Sequence, residues 1–321
     1  MQKYRYAIGI GINLFDAQAI LLREDGKVIV RVEKKRKSNN VNETIKVLLF
    51  LFTDILKRSG KYKDGIVGAG LALGGTIDKK KGLVYWPQEQ NNSHILYVAA
   101  PFKKYLEDKF KLPIFIENDA NACAWAEYKL NYSDYNNLIY MFSGVGCGLI
   151  LNGNLYRGRD GGAGELFVTP RKVMSCSLGN FGFLSQWPRD LGIIKRAKEL
   201  ISQGKAVPLV KRINSVGELS LEDIFKELRN RDKLSRELLK EPAFSLGVKI
   251  SSLVNLLNPE VVIIGGGLEE GGEFFLDEAA KAVKKYSFSV LRKSLKIKFS
   301  SLGRNAVSLG AAHLIIGQKN G

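Results

Sequence analysis

The sequence predicts a duplicated α/β architecture: two lobes, each a β-meander followed by alternating helices and strands, with a ligand cleft between them. Three observations carry this expectation. A meander of three strands leads into helix, strand, helix, strand, and the same succession restarts near Leu138. An apolar strand ending at Ile116 runs into Asn118-Asp119 and a small-residue helix, which sets an amide and a carboxylate on a strand-to-helix turn. Glycine clusters follow strands at 144–148 and 265–267.

The elements follow in order. Residues 6–12 alternate apolar residues with glycine, as a buried strand does. Residues 17–22 and 28–33 flank Glu24-Asp25-Gly26-Lys27, a hairpin turn. A helix is expected over 41–58, because Ile45, Leu48, Leu49, Phe52, Ile55 and Leu56 share one face. Asn40 and Glu43 have capping-box spacing at its start, and Gly60 ends it. A strand at 66–73, a polar loop to about 97, a helix at 98–109, the strand 113–116 and the helix 120–128 come next. The second meander is expected at 138–142, 148–151 and 155–157, with Asn152-Gly153 as a hairpin turn. Helices are expected at 189–203, 220–230 and 233–257, the last with Leu246, Ile250, Leu253 and Leu257 on one face. Strand 261–264, helix 273–285, strand 295–299 and helix 305–317 close the chain. The expected lobes are 1–117 with 305–321, and 118–304.

At 321 residues, with 45% hydrophobic and 25% charged residues, the composition is that of a globular protein with ample core. No apolar run reaches spanning length and the N-terminus lacks a signal-peptide core, so no membrane partner is expected. Cys123, Cys147 and Cys176 show no pairing pattern, which suits a reducing cytoplasm. The net charge of +17 is spread over several elements without a nucleic-acid-binding signature, so it reads as a solvated surface with some attraction for anionic ligands.

Several segments can carry chemistry. Gly144, Gly146 and Gly148 admit close approach of backbone N–H groups to a phosphate, or simply make a hairpin turn. Gly265, Gly266 and Gly267 offer backbone donors to a nucleotide, or serve as a helix-entry turn. Asp119 can accept a proton from an alcohol, or act as a helix N-cap. Glu165 follows a small-residue stretch that lets a ligand approach, or is a first-turn glutamate. His94 reads as a solvated loop residue and His313 as packing or surface.

Taken together, the segments Ile116-Glu-Asn-Asp-Ala-Asn-Ala122, Gly144-Val-Gly-Cys-Gly-Leu-Ile-Leu-Asn-Gly153 with Leu155-Tyr-Arg-Gly158, Gly161-Gly-Ala-Gly-Glu165, Leu256-Leu-Asn-Pro-Glu-Val-Val-Ile-Ile-Gly-Gly-Gly267 and Leu302-Gly-Arg-Asn-Ala-Val-Ser-Leu-Gly-Ala-Ala312 resemble the ROK family of sugar kinases and sugar-responsive repressors. The resemblance implies the duplicated actin-like ATPase (ribonuclease H-like) fold. It implies Asp119 as the catalytic base, Asn118, Asp119 and Glu165 as sugar ligands, Gly144 and Gly146 at the phosphates, and Gly265 to Gly267 at the adenosine side. A sugar is the implied partner, with ATP and Mg²⁺ if the chain is a kinase. A homodimer is also in keeping with the family.

The departures matter too. The family's kinases open with Asp-x-Gly-Gly-Thr, and here Gly11 stands at the aspartate and Phe15 at the threonine. That weakens the metal–phosphate anchor on which phosphoryl transfer depends. Gly74 replaces a usual proline, and the loop Trp86 to His94 departs from the family's sugar loop. Of the four zinc ligands the family carries, Cys176 alone survives, so no zinc is expected, with Leu178 and Phe183 filling its place. Val168 and Ser185 stand where the family has further sugar contacts. The chain starts directly at its first strand, whereas the family's repressors carry an N-terminal helix-turn-helix, so sequence-specific DNA binding is not expected. The expected function is a cytoplasmic sugar-binding protein of the sugar-kinase type with impaired phosphoryl transfer, the alternative being an active ATP-dependent kinase for hexoses or N-acetylhexosamines.

Overall fold

A computed structural model of the chain describes residues 4–12, 16–36, 40–89, 95–142, 146–166, 191–204, 219 and 221–317. The first five-stranded sheet has the order β3-β2-β1-β4-β8, built from β1 (Tyr6–Ile12), β2 (Asp16–Arg23), β3 (Val28–Lys35), β4 (Ile66–Leu73) and β8 (Ile114–Asn118). The meander β1–β2–β3 is antiparallel, whereas β4 and β8 lie parallel to β1, so the carboxyl ends of β1, β4 and β8 point the same way. Leu73 pairs with Asn118 at that edge.

Helix α1 (Val41–Ser59) covers one face of this sheet, burying Leu48, Leu51, Phe52 and Ile55 among Ile8, Ile10 and Leu71. Asn40 caps it, its Oδ1 accepting the Glu43 N–H at 2.7 Å, as the spacing predicted. Gly60 stops it at φ +47.

The other face is covered by the C-terminal helix (Ala306–Ile316), numbered α8 in chain order, against Ala7, Ile20 and Leu22. Contact here is backbone to backbone. Cβ atoms added at Gly9 or Gly70 would collide with the carbonyl oxygens of Ser308 and Ala311. Helix α3 (Asp119–Asn131) packs on α8 in the same manner, because Gly310 sits directly against the Ala122 carbonyl. Gly310→Ala is therefore expected to cost at least the usual 1–3 kcal/mol of an overpacked core. Chemical denaturation checks this, and a wild-type midpoint would show that the two helices can separate without loss.

Where a polar loop was expected up to about 97, the described residues form a three-stranded antiparallel sheet: β5 (Thr76–Asp78), β6 (Leu83–Glu89) and β7 (Ile95–Ala100). Its short apolar runs satisfy their backbone groups across strands. The helix expected from 98 begins at Phe102 instead (α2, Phe102–Phe110), because Val98, Ala99 and Ala100 pair with Trp86, Tyr85 and Val84. Pro101 then marks the helix start, where its missing N–H costs nothing.

The second sheet repeats the order of the first as β11-β10-β9-β12-β13, with β9 (Leu138–Phe142), β10 (Gly146–Leu151), β11 (Asn154–Tyr156), β12 (Val261–Gly265) and β13 (Lys296–Phe299). Asn152 and Gly153, at φ +50 and +72, make the hairpin turn between β10 and β11. The remaining described helices are α4 (Leu191–Ser202), α5 (Leu221–Arg229), α6 (Lys233–Leu257) and α7 (Gly272–Tyr286). Gly247 lets α6 lie directly on Ala279 and Ala282 of α7.

The chain divides into two compact units, residues 1–140 with 147–164 and 302–321, and residues 141–146 with 165–301. These bounds differ from the expected 117/118 and 304/305. The small-residue contact of α3 with α8 keeps residues 118–140 in the first unit. No described helix is long and apolar enough to cross a membrane.

Candidate sugar and phosphate site

The turn between β8 and α3 is built by its polar residues. Asn118 is extended (φ −67, ψ 145) and caps α3, its Oδ1 accepting the N–H groups of Ala120 at 2.9 Å and Asn121 at 3.2 Å. Asp119 is the first helical residue, and its Oδ1 accepts the Ala120 N–H at 2.8 Å. The two local readings of Asp119 thus separate: Asn118 is the cap, and the aspartate stands one position beyond it. Asp119 is half-buried, within reach of a ligand. Its Oδ2 lies so near Gly74 that a Cβ there would sit 3.3 Å away. Asn118 has less amide to offer a sugar than expected, since its oxygen serves the cap and its Nδ2 lies 3.4 Å from the Gly75 carbonyl.

Glu117, for which no role was expected, anchors this turn from below. It is 5% exposed, and both carboxylate oxygens are used twice. Oε1 accepts the Asn118 N–H and the Asn121 Nδ2–H, each at 3.1 Å. Oε2 accepts from Lys79 Nζ and Arg157 Nε, each at 2.7 Å. Burial alone would raise the Glu117 carboxyl, but the charges of Arg157 and Lys79 and their hydrogen bonds outweigh it and hold it below the usual carboxylate range. Burial pushes the Lys79 ammonium down against the pull of Glu117. One buried carboxylate thereby joins β8, the first turn of α3, the turn after β5 and the end of β11. A cavity of about 50 Å³ beside it, lined by Lys79, Glu117, Arg157, Ile116 and Gly70, is far below the ~300–1,000 Å³ of small-molecule pockets and is no sugar site.

Position 11, where the resemblance implies an aspartate in a kinase, has no room for a side chain. Gly11 pairs with Gln18 across β1–β2. A Cβ on Gly11 would stand 2.8 Å from both Val307 Cβ and the Ser308 backbone nitrogen. Gln18, itself buried, locks that end of α8: it accepts from Ser308 Oγ at 2.6 Å and donates to Asn305 Oδ1 at 3.1 Å. Asp16, the nearest carboxylate in sequence, faces Arg304 at 3.4 Å. A Mg²⁺ anchored by a carboxylate at position 11 does not fit these residues. Phe15 lies outside the described residues.

Glu165 and Gly146 are brought together as an isolated antiparallel bridge, so a predicted sugar ligand stands beside the predicted phosphate turn. The Cys147 N–H donates to the Gly164 carbonyl at 2.8 Å. Gly164, at φ +90, has no room for a side chain against Cys147. Burial raises the Glu165 carboxyl above its ordinary range. Gly144 lies outside the described residues.

Gly265 ends β12, and Gly266 and Gly267 turn with φ +69 and +100. The Gly267 N–H donates to Glu269 Oε2 at 2.9 Å, so a nucleotide there would compete with a carboxylate. The degenerate zinc segment (Val168, Cys176, Leu178, Phe183, Ser185) and His94 lie outside the described residues. Among the described residues no cluster of three or more His, Cys, Asp or Glu side chains could hold a metal. His313 is mostly buried on α8, and burial first, then the Lys129 charge, holds its pKa down, as a packing role requires.

A family model described as "ROK family" matches residues 5–318. A xylose repressor of Caldicellulosiruptor bescii is 30% identical over 315 residues, covering 96% of this chain and 77% of that one. A glucokinase of Halalkalibacterium halodurans is 30% identical over 266 residues, covering 81% and 79%. Among solved structures, a ROK family glucokinase from Streptomyces griseus in complex with glucose and AMPPNP superposes with a TM-score of 0.77 at 24% identity, over 96% of this chain and 98% of that one.

Proposed function

The chain belongs to the ROK family, and from that premise we propose that it is a sugar-binding regulator of the sugar-kinase type in which phosphoryl transfer is impaired. The observation that carries this reading is the contrast between two positions at the carboxyl edge of the first sheet. The Asn118-Asp119 turn is fully built, capped and anchored by Glu117. The position that would hold the metal–phosphate carboxylate is a glycine pressed against Val307 and Ser308. Asp119 in the first unit offers an acceptor for a sugar hydroxyl, and in the second unit the partly desolvated Glu165 gains from such a donor. The relatives' names include a repressor for a pentose and a kinase for a hexose, so both classes belong in the test.

Thermal denaturation with xylose, glucose and N-acetylglucosamine, run beside a coupled ADP-release assay, decides the matter. A sugar at a hundred times its dissociation constant should stabilise the protein by about 2.7 kcal/mol. Turnover should fall below the ordinary ~1–100 s⁻¹ of a kinase by about 10²–10³-fold, the usual cost of one missing electrostatic group. Ordinary turnover would sink the regulator reading.

One observation favours the alternative, an active kinase with Asp119 as general base: helix capping, the rival reason for an aspartate here, is done by Asn118. Asp119→Asn separates the two readings. A kinase should lose turnover by about 10²–10⁴-fold. A regulator should lose about 1.5–3 kcal/mol of sugar affinity, the worth of a hydrogen bond to a charged group, with no turnover to lose.

A further inference from the structure

No described helix is long and apolar enough to cross a membrane, but a surface of the second unit points to a different kind of contact. The three most exposed large apolar side chains among the described residues are Leu256 at 76%, Val290 at 72% and Phe288 at 70%. They belong to one end of the α6–α7 pair. Asn255 joins them, its Nδ2 donating to the Tyr286 carbonyl at 3.1 Å and its Oδ1 accepting the Phe288 N–H at 3.0 Å. A tight turn closed by the Leu291 N–H on the Phe288 carbonyl carries Val290 at its tip. Four exposed apolar groups, with Tyr286, thus project from a short, hydrogen-bonded frame. Scattered exposed apolar residues need no account, but a cluster framed by charge does.

The frame is strongly basic. Lys284 and Lys285 end α7, Arg292 and Lys293 follow the turn, and Lys296 and Lys298 stand on the edge strand β13. No Asp or Glu occurs anywhere after Glu278. We infer that this end of the second unit docks on an anionic lipid bilayer surface, Phe288, Val290 and Leu256 entering the headgroup layer while the surrounding lysines face the lipid charges. A second copy of the chain fits poorly, because apposing the patch with itself would bring two basic rims together. A protein partner fits less well than lipid, since five of the six basic residues are lysines, which protein interfaces avoid. A nucleic acid would find aliphatic Leu256 and Val290 where stacking surfaces are wanted. Lipid headgroups accept flexible lysines, and acyl chains accept aliphatic tips.

Co-sedimentation of the full chain with vesicles tests this, using pure phosphatidylcholine against vesicles in which a third of the lipid is phosphatidylserine. The protein should sediment with the anionic vesicles alone and leave them as salt is raised. Arg292→Glu/Lys293→Glu should lower the vesicle binding constant by at least about fivefold per residue changed, the effect of one basic side chain at such a surface, and Phe288→Ser/Val290→Ser should lower it by at least about tenfold through the lost apolar burial. All four side chains are exposed or half-buried, so circular dichroism should show the variants folded. Lys46→Glu/Lys61→Glu, exposed lysines of the first unit, should bind as wild type does, which separates the patch from the overall charge of +17. Equal binding to neutral vesicles, full binding by the Phe288/Val290 variant, or equal loss in the Lys46/Lys61 control would overturn the proposal. So would displacement of vesicles by duplex DNA, or patch-dependent dimerisation without vesicle binding.

Discussion

Glu117→Ala is expected to lower stability by about 2–3 kcal/mol and to abolish the response to sugar. Breaking a buried ion pair by removing one partner costs about 3–5 kcal/mol when the remaining charge stays buried. Here the Lys79 and Arg157 side chains are 41% and 34% exposed, so both cations can recover part of their hydration, and the lower figure follows. The second loss is local. Without Oε1 the Asn118 N–H and the Asn121 amide lose their acceptor. The capped turn that holds Asp119 would then loosen while the core around it persists. Denaturation and sugar-induced melting shifts measure the two losses separately. Glu117→Gln should recover part of the stability, because its amide oxygen can still serve Asn118 and Asn121. A Glu117→Ala protein with full stability and an unchanged sugar shift would remove Glu117 from any account of the site.

The same carboxylate sets a pH dependence whose sign can be worked out. Its folded pKa lies below the ordinary 4.5, so the folded state binds its proton less readily than the unfolded chain. The stability it contributes is present above pH 4.5 and is lost as pH falls through the depressed folded value. Glu165 acts oppositely: its folded pKa is raised, so its penalty is absent in acid and grows as pH rises through 4.5. In Glu117→Gln the acid limb of the melting temperature should be shallower than in wild type. An identical limb would mean that other carboxylates dominate it.

Much of the fold was legible because periodicity and turn chemistry are local. The α1 face, the Asn40 cap and the Asn152-Gly153 turn needed neighbours within a few residues. The β5–β7 sheet was not legible, since polar residues interrupt its strands and its stability comes from cross-strand pairing up to 16 residues apart rather than from a local pattern. The site divided in the same way. Asn118 and Asp119 announced themselves on a strand-to-helix turn, but their supports did not. Lys79 and Arg157 reach Glu117 from 38 and 40 residues away, and nothing near either one signals that it faces a carboxylate. One signal was present. A glutamate ending the apolar run Ile114-Phe-Ile needs cations or donors if it is buried, and Glu117 could have been singled out on that ground. The unit bounds differ from the expected 117/118 where Gly310 lets α3 approach α8, a contact between residues far apart in sequence.

Gly11→Asp should not restore phosphoryl transfer and should itself cost about 1–3 kcal/mol. The new Cβ would press on the Ser308 backbone nitrogen and on Val307 Cβ, both 2.8 Å away, with Val307 Cγ1 at 2.9 Å. Ser308 cannot yield easily, because its Oγ is tied to buried Gln18 and α8 lies on the β1 and β4 backbones. Val307 can yield if its side chain is removed. The double variant Gly11→Asp/Val307→Gly should therefore be less destabilised than the sum of its parts, with a coupling of roughly 0.5–3 kcal/mol, as for residues in contact. Strict additivity would show that Val307 does not occupy the carboxylate's space. Turnover appearing in Gly11→Asp alone would show more, namely that a single lost charge separates this chain from a kinase. A glycine on β1 is matched by a valine on α8, so a carboxylate introduced at position 11 alone meets a side chain packed against glycine.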